Sequence, residues 1–412
     1  MVHFPNGFLW GAATAAHQVE GNNINSDLWV LEHIEPTLFV EPSLDACDHL
    51  RLYPEDIKLL AQLGFNTYRF SIEWARVEPE RGHFSTAAME HYRRVLVACH
   101  ENGITPMVTL YHFSSPRWFA AMGGWERPES LELFVRYAAR VARHLGDLVQ
   151  FATTFNEPNL PMQLRWLPIT EVPIVKVKRM AKVAARAIGA DKFGCFFLGN
   201  GDVLRDRMIA AHHRALEAMK SGPGNYQVGV SVSLQDEQPA GADSRRNQKC
   251  AEVYDPWLYA ADKSDFLGVQ AYTRCRVGKR SDLSPEPGAE ITQMGYEFWP
   301  EALEACIRYA NERVKVPIYI TENGVATDDD ERRVEYVRRA LGGVLNCITV
   351  GIDVRGYIHW SLLDNFEWIM GYRPRFGLVA VDRATQTRSV KPSAHYLGEI
   401  ARHNRMLPNP PA

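Results

Sequence analysis

Two short stretches of the sequence each place a glutamate at the end of an apolar, β-prone run. The first is QFATTFNEP, which contains Glu157, and the second is PIYITENG, which contains Glu322. A strand that finishes on a carboxylate presents it to whatever lies beyond the strand. Two neighbouring carboxylates can divide acid–base work, because the negative charge of one raises the pKa of the other. The pattern therefore predicts one site with two carboxylates in different protonation states.

Eight apolar, β-prone runs recur along the chain and must position these glutamates. They are residues 8–13, 67–71, 105–110, 151–155, 228–232, 266–270, 318–321 and 356–360. Between them lie amphipathic stretches with apolar residues three and four positions apart, which predict helices. These are residues 53–63, 87–101, 128–144, 208–220, 300–313 and 332–348.

The alternation predicts an α/β fold in which residues 1–412 form a single (β/α)8 TIM barrel. Short strands that are apolar throughout are buried on both faces, as in a parallel sheet, and the sequence lacks a glycine-rich phosphate loop. Residues 159–205 are predicted to be an insertion that is helical over 176–188, and residues 276–299 a long loop. In this fold such loops surround an active site at the C-terminal strand ends.

Polar and aromatic side chains follow nearly every predicted strand and should meet at that rim. They are Gln18, Arg69, Glu73, His112, Asn156, Glu157, Gln270, Tyr272, Glu322, Trp360, Glu367 and Trp368. Indole faces suit the C–H faces of a sugar ring, and amides and carboxylates suit its hydroxyls. Two carboxylates on either side of a sugar acetal predict a glycosidase.

Each of these residues also has a structural interpretation. A single glutamate at a strand end is more often an ion-pair partner than a catalyst, but two that are ringed by amides and indoles favour the functional interpretation. Arg69 has Glu73 and Asp56 as alternative ion-pair partners. For His17 and His112, the alternative is a histidine of the core whose ring nitrogens are hydrogen-bonded within the protein.

Several motifs resemble those of the glycoside hydrolase family 1 β-glycosidases over nearly the whole chain. The motifs are FLWGAATAAHQVEG, ACDHLRLYPEDI, LGFNTYRFSIEWARVEP, TLYHF, TFNEP, DFLGVQAY, ITENG, WSLLDNFEW and GYRPRFGLVAVD. TFNEP and ITENG in this order, followed by WSLLDNFEW, make the resemblance very specific. It implies a barrel that hydrolyses β-glycosides, most of all β-glucosides with β-galactosides or β-fucosides as further substrates, and retains the anomeric configuration.

The resemblance also implies roles for individual residues. Glu322 would be the nucleophile, Glu157 the acid and base, and Asn156 the partner of the sugar 2-hydroxyl. The remaining implied site residues are Gln18, His112, Tyr272, Trp360, Glu367 and Trp368 around the sugar, with Arg69 and Phe376 in support. A carboxylate at Glu367, near O4 and O6, would repel a sugar 6-phosphate and favour unphosphorylated sugars.

The chain departs from the family pattern at several positions near the predicted rim. Phe113 stands where the family often has tryptophan, Gln270-Ala271-Tyr272 where it usually has Asn-Tyr-Tyr, and Glu73 where many members have serine. These changes leave the two glutamates in place. Two rival functions remain: a transglycosidase that passes the sugar to an alcohol, and a non-catalytic sugar-binding barrel.

The bulk composition predicts which partners the protein has. Net charge is −3, which gives no sign of a nucleic-acid partner, and the sequence contains no run of about 18 apolar residues that would span a membrane. The seven cysteines include no CxxC pair. We therefore expect free thiols, a cytoplasmic protein without a secretory signal, no cofactor or metal, and a small β-glycoside or short oligosaccharide substrate. The sequence leaves a homo-oligomer open.

Overall fold

Eight parallel strands close into a barrel in the computed structural model, which describes residues 3–168 and 174–407. The strands follow in the order β5-β4-β3-β2-β1-β9-β8-β6, and β5 pairs with β6 to complete the ring. The described strands are β1 (Leu9–Ala13), β2 (Thr67–Ser71), β3 (Thr105–Tyr111), β4 (Phe151–Asn156), β5 (Gln227–Pro239), β6 (Phe266–Val277), β7 (Asp282–Leu283), β8 (Ile318–Asn323), β9 (Val354–Trp360), β10 (Val379–Val381) and β11 (Arg388–Val390). The TIM-barrel prediction is confirmed.

Helices fill the connections between the strands. They are α1 (Ala16–Val19), α2 (Asp27–Glu32), α3 (His49–Leu63), α4 (Trp74–Val77), α5 (Thr86–Glu101), α6 (Arg117–Ala121), α7 (Ser130–Leu145), α8 (Leu160–Leu164), α9 (Ile174–Ala187), α10 (Gly201–Lys220), α11 (Arg246–Val253), α12 (Asp255–Ala261), α13 (Ala302–Arg313), α14 (Asp330–Thr349) and α15 (Pro392–His403). In α7 the buried residues include Phe134, Tyr137, Ala138 and Val141, so one stripe of the helix faces the barrel.

Some helices begin earlier than their apolar spacing predicts. Helix α10 begins at Gly201 because the Asn200 side chain accepts hydrogen bonds from the backbone N–H groups of Asp202 and Val203, which caps the helix. Helices α11 and α12, between β5 and β6, were not predicted. The insertion helix is close to its predicted bounds, while residues 169–173 of that segment lie outside the described residues.

Strands β5 and β6 extend well beyond their predicted ends at residues 232 and 270. The extensions pair with each other, with Asp236 opposite Arg274 and Pro239 opposite Val277, and β7 adds an antiparallel pairing to β6. The prediction of a loop over 276–299 was therefore wrong at its first residues and at β7. The extensions are largely polar, so apolar patterning gave no sign of them.

The core follows the barrel. A cluster of side chains that includes Ala13, Met107, Phe266, Tyr319 and Ile358 is buried in contact, and its members come from strands around the ring. Trp10 of β1 is part of the buried core and is 1% exposed. Among the described residues, no helix is long and apolar enough to cross a membrane.

Candidate active site

The carboxyl ends of β4 and β8 bring Glu157 and Glu322 to the same rim of the barrel. Glu322 lies within β8, opposite Gln270 of β6. Glu157 follows β4, and its backbone N–H donates to the Ser231 carbonyl at 2.9 Å. Glu157 adopts a φ of 45°. This left-handed conformation is uncommon for a residue other than glycine, and such strain concentrates at functional sites.

Both oxygens of Glu322 accept a short hydrogen bond. The Arg69 Nη1 donates to Oε1 at 2.6 Å, and the Tyr272 hydroxyl donates to Oε2 at 2.6 Å. Arg69 is fully buried and Glu322 is 4% exposed. A buried ion pair with a second donor holds a carboxylate in its charged form. Pairing of Arg69 with Glu73 or Asp56, the alternative left open by the sequence, is not what the structure shows.

Asn156, at the end of β4, shares the same guanidinium. Its Oδ1 accepts from Arg69 Nη2 at 2.5 Å and from Gln270 Nε2 at 2.8 Å. Its Nδ2 is buried and has no partner within the described part of the chain. The amide therefore has one oxygen that is fully used and one nitrogen that is free to donate.

The environment separates the two glutamates. Burial raises the pKa of Glu157 to about 8, and the negative charge of Glu322 adds to this effect. Burial also raises the pKa of Glu322, but there the charge of Arg69 and the hydrogen bond from Tyr272 act in the opposite direction. Glu322 is therefore the member of the pair that ionises first, and Glu157 keeps its proton near neutral pH.

Gln18 and Glu367 lie beside each other, near the two glutamates. Gln18 Nε2 donates to the Phe366 carbonyl at 2.7 Å and lies 3.4 Å from Glu367 Oε2, while Gln18 Oε1 is buried without a described partner. Burial, then the charge of Glu322, raises the pKa of Glu367 to about 8. This side of the site offers both donors and acceptors to a polar ligand.

Aromatic rings form the wall between these polar groups. The His112 ring is nearly parallel to those of Trp360 and Trp368, with centroids 5.8 Å and 6.1 Å away. Burial, helped by the charge of Arg69, lowers the pKa of His112 well below its usual value and keeps the ring neutral. Phe376 packs edge-on against Tyr272 at 5.9 Å, so it supports the residue that contacts Glu322.

Glu73, a departure from the family pattern, does not lie among the ligand-facing groups. Its carboxylate accepts from Ser114 Oγ at 2.7 Å and from the Ala75 N–H at 3.1 Å, and it is 2% exposed. It therefore caps α4 and fixes the segment after β3.

Two residues near the site were not singled out from the sequence. Tyr296, in the 276–299 segment, lies close enough for the charges of Glu367 and Glu157 to raise its pKa, although burial is the larger cause. Phe197, in the 159–205 segment, lies 5.1 Å from Phe113. Both irregular segments thus reach the site, as predicted, but nothing in their local sequence distinguishes these two aromatics from others nearby.

One group of possible metal ligands lies away from the site, and a lysine already fills it. Glu237, Cys275 and Asp282 bring their ligand atoms within 4.8 Å of one another. The Lys249 ammonium lies 2.8 Å from both carboxylates and 3.5 Å from the Cys275 sulfur. The cluster is a buried ion-pair network that joins α11 to β5 and β7.

Comparison with known proteins places this geometry in context. The family model described as Glycosyl hydrolase family 1 matches residues 1–264 and 249–406. Beta-glucosidase A of Thermotoga maritima is 31% identical, over 97% of this chain and 98% of its own length. The bifunctional beta-D-glucosidase/beta-D-fucosidase of Bifidobacterium breve is 32% identical, over 95% and 96%. A solved structure, the apo form of a beta-glucosidase 1317, is 50% identical and superimposes with a TM-score of 0.94 over 97% of this chain and 99% of that one.

Proposed function

Because the chain belongs to glycosyl hydrolase family 1, we propose that it removes terminal β-D-glucosyl residues from β-glycosides with retention of configuration. The observation that carries this proposal is the unequal pair at the rim. Glu322 is held by Arg69 and Tyr272, whereas the pKa of Glu157 is raised to about 8. One ionised and one protonated carboxyl group are what double displacement at a sugar acetal requires.

In the first step, a Glu322 oxygen attacks the anomeric carbon and Glu157 donates its proton to the departing oxygen. The transition state carries positive charge on the sugar ring, and the Glu322 carboxylate stabilises it before the covalent bond is complete. Arg69 and Tyr272 orient both Glu322 oxygens, so the nucleophile reaches the reaction without reorganisation.

In the second step, the protonation and charge states are reversed: Glu322 is a neutral ester and Glu157 is the charged carboxylate. Once Glu322 is esterified by the sugar, its negative charge is gone, and the Coulombic contribution that raised the Glu157 pKa disappears. Glu157 is then a carboxylate that can take a proton from an incoming water. That water attacks the anomeric carbon from the face the aglycone left, and Glu322 departs as a carboxylate.

The sugar-binding roles follow from the free polar atoms and rings around the pair. Asn156 Nδ2 and Gln18 Oε1 are buried without described partners, as is His112 Nδ1, and each can pair with a sugar hydroxyl. Trp360 is the platform for the sugar ring, and Glu367 with Trp368 closes the side of O4 and O6. The name of the Bifidobacterium breve relative supports activity on fucosides as well.

We further propose that the enzyme acts in the cytoplasm, on small β-glycosides or short oligosaccharides, without a cofactor or metal. The cysteines support this location because six of the seven are buried and all are free thiols.

The reaction is tested with a panel of aryl β-D-glycosides whose product anomers are followed by NMR. We expect the glucoside to be among the best substrates and β-glucose to appear first, before mutarotation. First appearance of the α-anomer would contradict retention. Dominant transfer products at low alcohol concentration would instead indicate a transglycosidase.

The assignment of the two glutamates is tested by azide rescue. Glu322→Gly and Glu157→Ala should each lose most activity; the exposed Glu312→Ala, on α13, is the control and should keep it. With azide, the Glu322 variant should form α-glycosyl azide and the Glu157 variant β-glycosyl azide. The opposite pattern would mean that the roles are exchanged.

A further inference from the structure

Gln270 lies at the centre of the site, although no step above uses it. It belongs to β6, opposite Glu322 of β8 on one side and Ser233 of β5 on the other. The side chain is fully buried. A glutamine in this position has no access to solvent, so only the site can supply partners for its amide. Its Nε2 has such a partner, whereas its Oε1 has none among the described residues.

The Gln270 amide nitrogen holds the Asn156 side chain and lies on the strand beside Glu322. It donates to Asn156 Oδ1 at 2.8 Å. Gln270 is opposite Glu322 in the sheet, and its side chain helps to lower the pKa of that carboxyl group. The residue expected to contact the sugar 2-hydroxyl is thus held from the strand next to the nucleophile.

The orientation of the Asn156 amide follows from its neighbours. Arg69 has only donors, so the Asn156 atom 2.5 Å from its Nη2 must be the oxygen. The Gln270 N–H is a second donor to that oxygen. The Asn156 amide therefore cannot flip by about 180°, because the flip would place its NH2 group against the N–H groups of Arg69 and Gln270. Its Nδ2, which is buried and has no described partner, is therefore left as a donor.

We infer that Gln270 is a positioning residue that locks the Asn156 amide so that the sugar 2-hydroxyl is met by a donor. This inference rests on the proposed function and deepens it. The oxygen of the 2-hydroxyl accepts a hydrogen bond from Asn156 Nδ2. The hydrogen of the 2-hydroxyl is then available for donation to a carboxylate oxygen. A substrate that lacks the 2-hydroxyl cannot accept this hydrogen bond, so the fixed orientation of the Asn156 amide does not increase its kcat/KM.

Paired substrates separate this role from a merely structural one. Gln270→Ala should lower kcat/KM for an aryl β-D-glucoside by about 10- to 100-fold, the loss expected when a buried amide loses one of the two donors that orient it. The loss on the matching 2-deoxy glucoside should be several-fold smaller. The acid limb of kcat/KM should also move to higher pH, because the Gln270 side chain helps to lower the pKa of Glu322.

Two further variants complete the experiment. Gln270→Asn keeps an amide but is one methylene shorter, so it should recover only part of the discrimination between the two substrates. Gln248→Ala removes an exposed glutamine of α11 and should change neither substrate. Thermal unfolding of each variant verifies that it folds. Equal losses of Gln270→Ala on both substrates, or no loss at all, would overturn the inference.

Binding gives an answer that does not depend on turnover. Calorimetry with two iminosugars, one with and one without the hydroxyl equivalent to O2, should show tighter binding of the first to the wild type and a smaller preference in Gln270→Ala. This result without hydrolysis of any glycoside would refute the proposed function and leave the inference standing. Equal affinities in the wild type, or no binding of either compound, would overturn the inference.

Discussion

Glu157 and Glu322 have the same side chain, so only their neighbours can give them different chemistry. Burial raises the pKa of both. Glu322 then receives Arg69 and Tyr272, each at 2.6 Å. For Glu157, the charge of Glu322 adds to the effect of burial, and Ser233 and Arg69 lower the pKa by less than the Glu322 charge raises it. The different protonation states of the two glutamates therefore depend on Arg69 of β2 and Tyr272 of β6.

The pH dependence should report the acid directly. Glu157 acts as the acid only while protonated, so kcat/KM for an aryl β-glucoside should fall as pH rises through about 8, where this proton is lost. A glucoside with a strongly acidic phenol as leaving group needs no proton donation in the first step. Its alkaline limb should therefore be much shallower.

Glu367 is the control for this measurement, because burial and the charge of Glu322 raise its pKa to about 8 as well. Glu367→Gln removes that titration and keeps the side-chain size. We expect the alkaline limb on the ordinary glucoside to persist in this variant. If the limb disappears there and is the same for both leaving groups in the wild type, Glu367 and not Glu157 controls it.

At the scale of secondary structure, apolar periodicity was enough to find the barrel strands. Strand β2 has the bounds that were predicted, Thr67–Ser71, and each of its residues is buried, as expected for a parallel strand covered on both faces. The extensions of β5 and β6 were missed because each supplies the backbone partners of the other, and their polar residues carry no pattern. Tyr296 was missed for a related reason, since a loop conformation depends on contacts with distant segments.

The turn after β8 leaves no room for a side chain at Gly324. A Cβ there would lie 2.1 Å from the Trp360 carbonyl oxygen. Gly324→Ala must therefore displace the end of β8, which carries Glu322, or the end of β9, which carries Trp360. A displacement of about 1 Å at a catalytic group can cost about 100-fold, so we expect kcat/KM to fall by at least about 10-fold and the melting temperature to drop.

Gly342→Ala is the matched control for that substitution. Gly342 lies inside α14, and a Cβ there meets nothing within 4 Å. Alanine in a helix interior is favoured over glycine by about 1 kcal/mol, so this variant should be slightly more stable with unchanged kinetics. If Gly324→Ala behaved in the same way, the turn would not be what positions Glu322.

At the scale of the whole molecule, the site exists only when the barrel is closed. Arg69 comes from β2, Asn156 from β4, Gln270 and Tyr272 from β6, and Glu322 from β8. Three of the hydrogen bonds that join them cross the barrel interior between strands that are not neighbours in the sheet, β2 with β8, β2 with β4 and β4 with β6. Loss of closure should therefore abolish activity before the helices unfold.

The cysteines offer a test of the folded molecule as a whole. Six of the seven thiols are buried, and Cys275 is partly exposed beside Lys249. Burial raises the pKa of several of them, to about 12 for Cys47 and Cys99, so little of the reactive thiolate forms at pH 8. We expect an aromatic disulfide reagent to label the native protein slowly, beginning with Cys275, and all seven thiols to react at once in denaturant. Cys275→Ser should remove the first native phase. Fewer than seven equivalents of labelled thiol in denaturant would reveal a disulfide and contradict the proposed cytoplasmic location. Several fast labelling phases in the native protein would mean that the core around these residues is open to the reagent.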